Sequence, residues 1–170
     1  MPDSVKMPPA SPLQLNISAE VGKRFVPFLR TNIRRAFKLA AKSSRRPALR
    51  SLSLVLVNDR RMSQLHEQFM NLSGPTDVLS FPLELDARGR TTDGEVYVCV
   101  PEALRQSSRR KIPCRLELLL YATHGMLHLL GYDDRTDRDF ARIHQMEDAI
   151  LTRLGFGPVF APEHREAPSR

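Results

Sequence analysis

Two histidines four residues apart sit on an apolar stretch that stops at a glycine and is followed at once by carboxylates: His124-Gly-Met-Leu-His128-Leu-Leu-Gly131-Tyr-Asp133-Asp134. From Arg115 to Leu130 the chain reads as a mostly apolar helix, with Leu116, Leu119, Leu120, Thr123 and Leu127 at helical spacing. Residues four apart on a helix share a face, about 5–6 Å apart at Cβ, so both imidazoles can reach one ion. Gly131 tolerates the left-handed conformation that ends a helix and turns the chain back. Asp134, three residues later, can then present a third ligand. The pattern predicts a catalytic metal held by His124, His128 and Asp134, on a helix and the turn after it, with open coordination positions.

That spacing is shared with the metzincin proteases, which makes the site zincin-like. Those enzymes carry a Glu directly after the first His as general base. Here the position is Gly125, which counts against a metalloprotease. His66, His144 and His164 lack partners at ligand spacing and read as surface or tail residues.

Charge narrows the substrate. Lys and Arg outnumber Asp and Glu by 26 to 19 in 170 residues, a formal charge of +7. Such an excess attracts polyanions, nucleic acid foremost. It is concentrated in Lys23, Arg24, Arg30, Arg34, Arg35, Lys38 and Lys42, followed by Arg45, Arg46 and Arg50, with a second cluster at Arg109–Lys111 expected to be a linker or phosphate-contacting loop. No apolar run is long enough to span a bilayer, and Met1–Pro12 lacks the apolar core of a secretory leader. Cys99 and Cys114 stand singly, without CxxC spacing, and Cys99 reads as a buried thiol in a strand. A cytoplasmic, disulfide-free protein with no membrane segment is expected.

The remaining patterning predicts one α+β domain, a small mixed four-stranded sheet covered by helices. Residues 1–12 read as a flexible arm, 13–156 as the folded unit and 157–170 as a Pro-rich tail. Strands are expected at Leu13–Ile17, Leu52–Val57, Val78–Leu85 and Glu95–Val100, with a polar loop Asp86–Gly94 between the last two. Helices are expected over Val21–Ala41, Met62–Met70 (capped by Asn58-Asp59), Pro101–Ser108, Arg115–Leu130 and Asp137–Leu154. In the last helix, Phe140, Ile143, Met146, Ile150 and Leu154 are expected to point inward.

The segment His124–Asp134, together with Pro75-Thr76-Asp77-Val78-Leu79-Ser80-Phe81-Pro82, resembles the YbeY family of ribosomal RNA maturation factors, whose signatures are PTDVLSFP and HGxLHLxGYDH. Gly94-Glu95-Val96 resembles the Gly-acid-aliphatic strand start between them, and the likeness covers about Leu52 to Leu154. The resemblance implies a zinc-dependent single-strand endoribonuclease acting in maturation of small-subunit (16S) ribosomal RNA and in ribosome quality control, with the small ribosomal subunit as partner. Two departures stand out. The family's third ligand is usually His, and a carboxylate at Asp134 lowers the site's positive charge and admits Fe or Mn beside zinc. The family also places an arginine after an aromatic residue before PTDVLSFP, where this chain has Phe69-Met70.

Chemistry on a phosphodiester needs a base, and Glu95 and Asp77 lead the candidates, ahead of Asp133 and Glu147. Each is equally suited to capping or to orienting a histidine. The RNA's own 2′-hydroxyl is an alternative nucleophile to water. Arg60, Arg61 and Ser80 are the expected substrate contacts, the two arginines standing in for the cation missing at Met70. A non-catalytic ribosome-assembly factor with a structural metal is the rival expectation.

Overall fold

The short apolar runs pair into a single sheet. In the computed structural model, which describes residues 12–43 and 47–159, β1 (Gln14–Ala19), β2 (Ser51–Val57), β3 (Val78–Leu85) and β4 (Thr91–Cys99) lie in the order β1-β2-β4-β3. β1, β2 and β4 run parallel and β3 antiparallel, so the sheet is mixed as expected. Its cover comes from α1 (Val26–Ser43), α2 (Asp59–Met70), α3 (Val100–Arg110), α4 (Cys114–Leu129) and α5 (Asp137–Arg153). No helix among the described residues is long and apolar enough to cross a membrane.

Strand alternation divides the sheet into two faces. Leu52, Leu54, Leu56, Val96 and Val98 point to one face and pack with Leu29 and Ile33 of α1 and Leu118, Met126 and Leu127 of α4. Leu79 points to the other face, with Val55, Phe81 and Tyr97, against Met62 and Leu65 of α2. α4 lies hard on the first face at Gly125. A Cβ there would sit 2.6 Å from Val96 and 3.1 Å from Val78. The position after the first histidine therefore faces the sheet, and a protease-type glutamate has no room at it.

α4 ends in a Schellman motif. The Gly131 N–H donates to His128 O and the Tyr132 N–H to Leu127 O, both at 3.0 Å, with Gly131 at φ 96°. Its residues are local in sequence, so the turn after α4 was legible in advance. The Asn58 cap is also as expected, its side chain accepting from Arg61 N at 2.8 Å.

Several boundaries differ for physical reasons. The first helix begins with a 3-10 turn at Lys23–Phe25, entered through Gly22 at φ 70°. The β3–β4 loop is shorter than expected, because the Asp86 side chain accepts from Arg88 N and Arg90 N and closes a tight turn. β4 thus starts at Thr91. Arg109 and Arg110 are no linker but the last turn of α3, with Lys111 as its left-handed cap. In α5 the inward face is rotated from the expected one: Phe140 is exposed, while His144 and Glu147 are buried with Ile143 and Ile150. Cys99 is a buried thiol as expected, its pKa pushed up to about 12 by desolvation. Val159, placed in the tail by sequence, packs in the core. Residues 160–170, Arg45 and Arg46, and all of the expected arm except Pro12 fall outside the described residues.

One ion pair locks α3 to α4. Arg110 Nη1 meets Glu117 Oε2 at 2.7 Å, with both side chains largely buried, and the same guanidinium donates to the Val159 carbonyl. Burial pushes the Glu117 carboxyl up, and Arg110 only partly offsets this. Arg110→Ala should cost about 3–5 kcal/mol of unfolding free energy by leaving a buried acid without its cation. Denaturant titration measures this, and a loss under about 1 kcal/mol would show that the pair is dispensable.

Candidate metal centre

The i, i+4 spacing and the Schellman turn bring three donor atoms together. His124 Nε2 and His128 Nε2 lie 2.9 Å apart, and Asp134 Oδ2 lies 3.6 Å from the first and 3.4 Å from the second. Donors about 2.0–2.2 Å from one tetrahedral ion are separated by about 3.3 Å, so these three atoms outline one face of such a site. They form a metal-competent group, with Asp134 toward solvent. Two imidazoles and a carboxylate suit zinc and admit Fe or Mn.

The other ring nitrogens are anchored. His128 Nδ1 lies 3.0 Å from the Tyr132 carbonyl, an acceptor supplied by the Schellman turn. His124 Nδ1 lies 2.5 Å from Glu147 Oε1, and Glu147 Oε2 lies 2.6 Å from His144 Nδ1. A donor at each Nδ1 leaves Nε2 as the lone-pair nitrogen, the tautomer metal binding requires. Glu147 is 0% exposed, and each of its carboxylate oxygens is engaged by a histidine. Burial pushes its carboxyl up, but the bonds from His124 and His144 outweigh this and hold it below the ordinary range. For His124, burial pulls downward and the Glu147 hydrogen bond and charge prevail, so its pKa is raised.

His144 is therefore no surface residue. It is buried, stacks on His124 with ring centroids 5.8 Å apart, and holds the far side of Glu147. The available signal was the His144–Glu147 spacing of three on α5, which puts both on one helical face.

The remaining sequence candidates separate by sheet face. Asp77 joins His124, His144 and Glu147 in lining a cavity of about 470 Å³, together with Glu102, Arg110, Glu117 and Tyr121. Asp77 Oδ1 accepts from Thr76 Oγ1 and Val78 N. Ser80 follows Val78 on the same side of β3, the side facing α4. Glu95 is adjacent to Val96, which packs on α4, so the pleat turns it to the opposite face, where it accepts from Tyr97 Oη at 3.0 Å. Glu95 is thereby taken out of the arrangement. Asp133 is engaged by Arg135, which holds its pKa at about 2.

Arg60 and Arg61 lie in the first turn of α2, on the face away from α4, and Arg61 approaches Glu20 at 3.9 Å. Met70 ends the same helix, about 14 Å further along its axis. Neither arginine can fill the place of a cation at Met70.

The family model described as Endoribonuclease YbeY matches residues 17–155. An Endoribonuclease YbeY of Thermobifida fusca is 39% identical over 110 residues, 61% of this chain and 71% of that protein. One of Micrococcus luteus is 36% identical over 116 residues, 65% and 74% of the two chains. One of Prochlorococcus marinus is 32% identical over 108 residues, 61% of this chain and 60% of that one. The solution structure of TM1509 from Thermotoga maritima shares the fold, with a TM-score of 0.54 over 92% of this chain and 100% of that one at 23% identity. With a family match that runs from β1 past the end of α5 and takes in every residue of the candidate metal centre, the chain belongs to the YbeY family of endoribonucleases.

Proposed function

We propose that this chain is a metal-dependent single-strand endoribonuclease that works in the cytoplasm on small-subunit (16S) ribosomal RNA, in its maturation and in ribosome quality control. The observation that carries the reading is the convergence of His124 Nε2, His128 Nε2 and Asp134 Oδ2, with each imidazole anchored from behind. These three residues would hold zinc, with Fe or Mn also admitted by the carboxylate. When bound, zinc supplies Lewis acidity, lowering the pKa of a water and neutralising charge on phosphoryl oxygens.

The chain's own groups do the rest. Glu147 keeps His124 in the Nε2-ligating tautomer, and the Tyr132 carbonyl does the same for His128. Asp77, which lines the cavity beside His124, would take the proton from the attacking nucleophile through Oδ2, its Oδ1 being engaged by Thr76 and Val78. Ser80, on the α4 side of the edge strand, would contact the substrate strand. An anionic third ligand lowers the site's net charge by one unit relative to three histidines, so the water of this enzyme should be less acidic.

A structural metal would call for a fourth protein ligand. Among the described residues His124 and His128 group with one carboxylate, Asp134, and the fourth position would take water or substrate. A protease would need a base at position 125, which is packed against Val96. The test is side-by-side assay of metal-loaded parent and His128→Ala on single-stranded RNA, duplex RNA and a peptide library. Parent-specific cleavage of single-stranded RNA alone is expected. Equal RNA cleavage by both proteins would overturn the reading, as would cleavage of peptide.

A further inference from the structure

The metal centre is poorly charged for the substrate just proposed. Four carboxylates, Asp77, Glu102, Glu117 and Glu147, line the cavity beside His124 against a single cation, Arg110, already paired with Glu117. A metal ion offsets only part of that charge. The affinity for an RNA backbone must come mainly from elsewhere on the molecule.

The cations are concentrated on α1. This helix contains no acidic residue, and Arg34, Arg35, Lys38 and Lys42 are exposed along one face with Pro27 and Thr31. None of the four forms a salt bridge among the described residues; Arg35 donates only to Asn32 within the helix. Arg115 of α4 adds a guanidinium 5.4 Å above the Phe28 ring of α1. From Arg34 to Lys42 the charges extend about 12 Å along the axis in steps of about one turn.

Arg115 also marks the α1 side of α4. At about 100° per residue, His124 and His128, nine and thirteen positions on, are rotated by about 180° and 220° from it. The basic face and the metal centre thus lie on opposite sides of α4. The basic face presents no exposed aromatic residue. Single strands are held by stacking bases on such rings. A surface of cations alone suits a paired segment, whose bases are stacked internally and whose phosphates face outward.

Resting on the ribonuclease reading, we infer that the outer face of α1 docks the backbone of a paired RNA segment, so that the chain grips a duplex on one side of α4 and cuts an adjoining single strand on the other. The test uses the full chain, metal-loaded, and its Arg34→Gln/Arg35→Gln/Lys38→Gln variant, with two probes: an RNA hairpin carrying a single-stranded tail, and the tail alone. Unchanged thermal unfolding verifies folding of the variant, and Arg34→Lys/Arg35→Lys should bind like the parent. Expected is a roughly tenfold or greater loss of affinity for the hairpin probe. The slope of log K against log salt should flatten by about three. Binding and cleavage of the tail alone should not change. Equal loss on both probes would overturn the inference, since the cations would then serve the strand in the cleft, and so would unchanged binding of the hairpin. If the parent cuts neither probe while the variant still loses the hairpin, the catalytic reading fails and the docking surface stands.

Discussion

His124→Ala protein is expected to be purified without metal and to have lost RNA cleavage. Three atoms define the site, and His124 supplies the one nearest the protein interior, where Glu147 fixes it. Removing a ligand outright must cost more than the roughly 10–100-fold in metal affinity that follows from losing a group that only orients one. Elemental analysis of protein prepared without chelator or a histidine tag should give about one metal per parent chain and close to none in the variant. Metal at parental stoichiometry in His124→Ala would end the assignment of this centre. The variant also leaves buried Glu147 with His144 as its remaining histidine partner, so its metal-free form should be less stable than the metal-free parent.

The second large effect is expected of Glu147→Gln. The amide keeps the size but not the charge, and it can present an N–H instead of an acceptor to His124 Nδ1. Metal affinity at high pH should fall roughly 10–100-fold. The pH dependence separates orientation from packing. In the metal-free parent, the Glu147 carboxyl is depressed, so its contribution is present above its unfolded value near 4.5 and is lost as pH falls through the folded one. His124 is raised, so its contribution is present below its unfolded value near 6.5 and is lost as pH rises through the folded one. The pair therefore stabilises the metal-free chain most between those limits, and the stability gap between parent and Glu147→Gln should be widest there.

Metal uptake runs against the proton on His124. In the parent, uptake weakens as pH drops below the raised His124 pKa. Without the Glu147 charge the midpoint of uptake moves to lower pH while the plateau affinity at high pH declines. Competition titrations with a chromophoric chelator across pH measure both quantities. A lower plateau with no change in midpoint would mean Glu147 serves only packing. An unchanged plateau would mean it does not orient His124 at all.

Asp77 and Glu95 show why sequence could rank these acids but not choose between them. In the sequence both stand at the start of an expected strand beside an apolar neighbour, and either could have faced α4. The choice was made by strand pairing: Val96 against Gly125 turns Glu95 away, while the Asp77 carbonyl, bonded to Cys99 N, sits at the end of β4 next to the α4–α5 cavity. Arg60 and Arg61 illustrate the same point for α2, because which face of the sheet a helix covers depends on contacts formed by Met62 and Leu65 with distant strands.

The sequence alone determined whatever depended on neighbours within a turn or two. The His124–His128 face, the Gly131 turn that returns Asp134, the Asn58 cap and the alternation that makes four strands all follow from backbone geometry repeated at short range. Tertiary structure decided what required helices to meet. Glu147 is 23 residues beyond His124, and only the packing of α5 on α4 turns an ordinary buried acid into the group that anchors the His124 ring, with His144 behind it. Hydrophobic patterning says that a face is covered, but it does not say by which partner, because burial is non-directional whereas the hydrogen bonds that tune a metal centre are not.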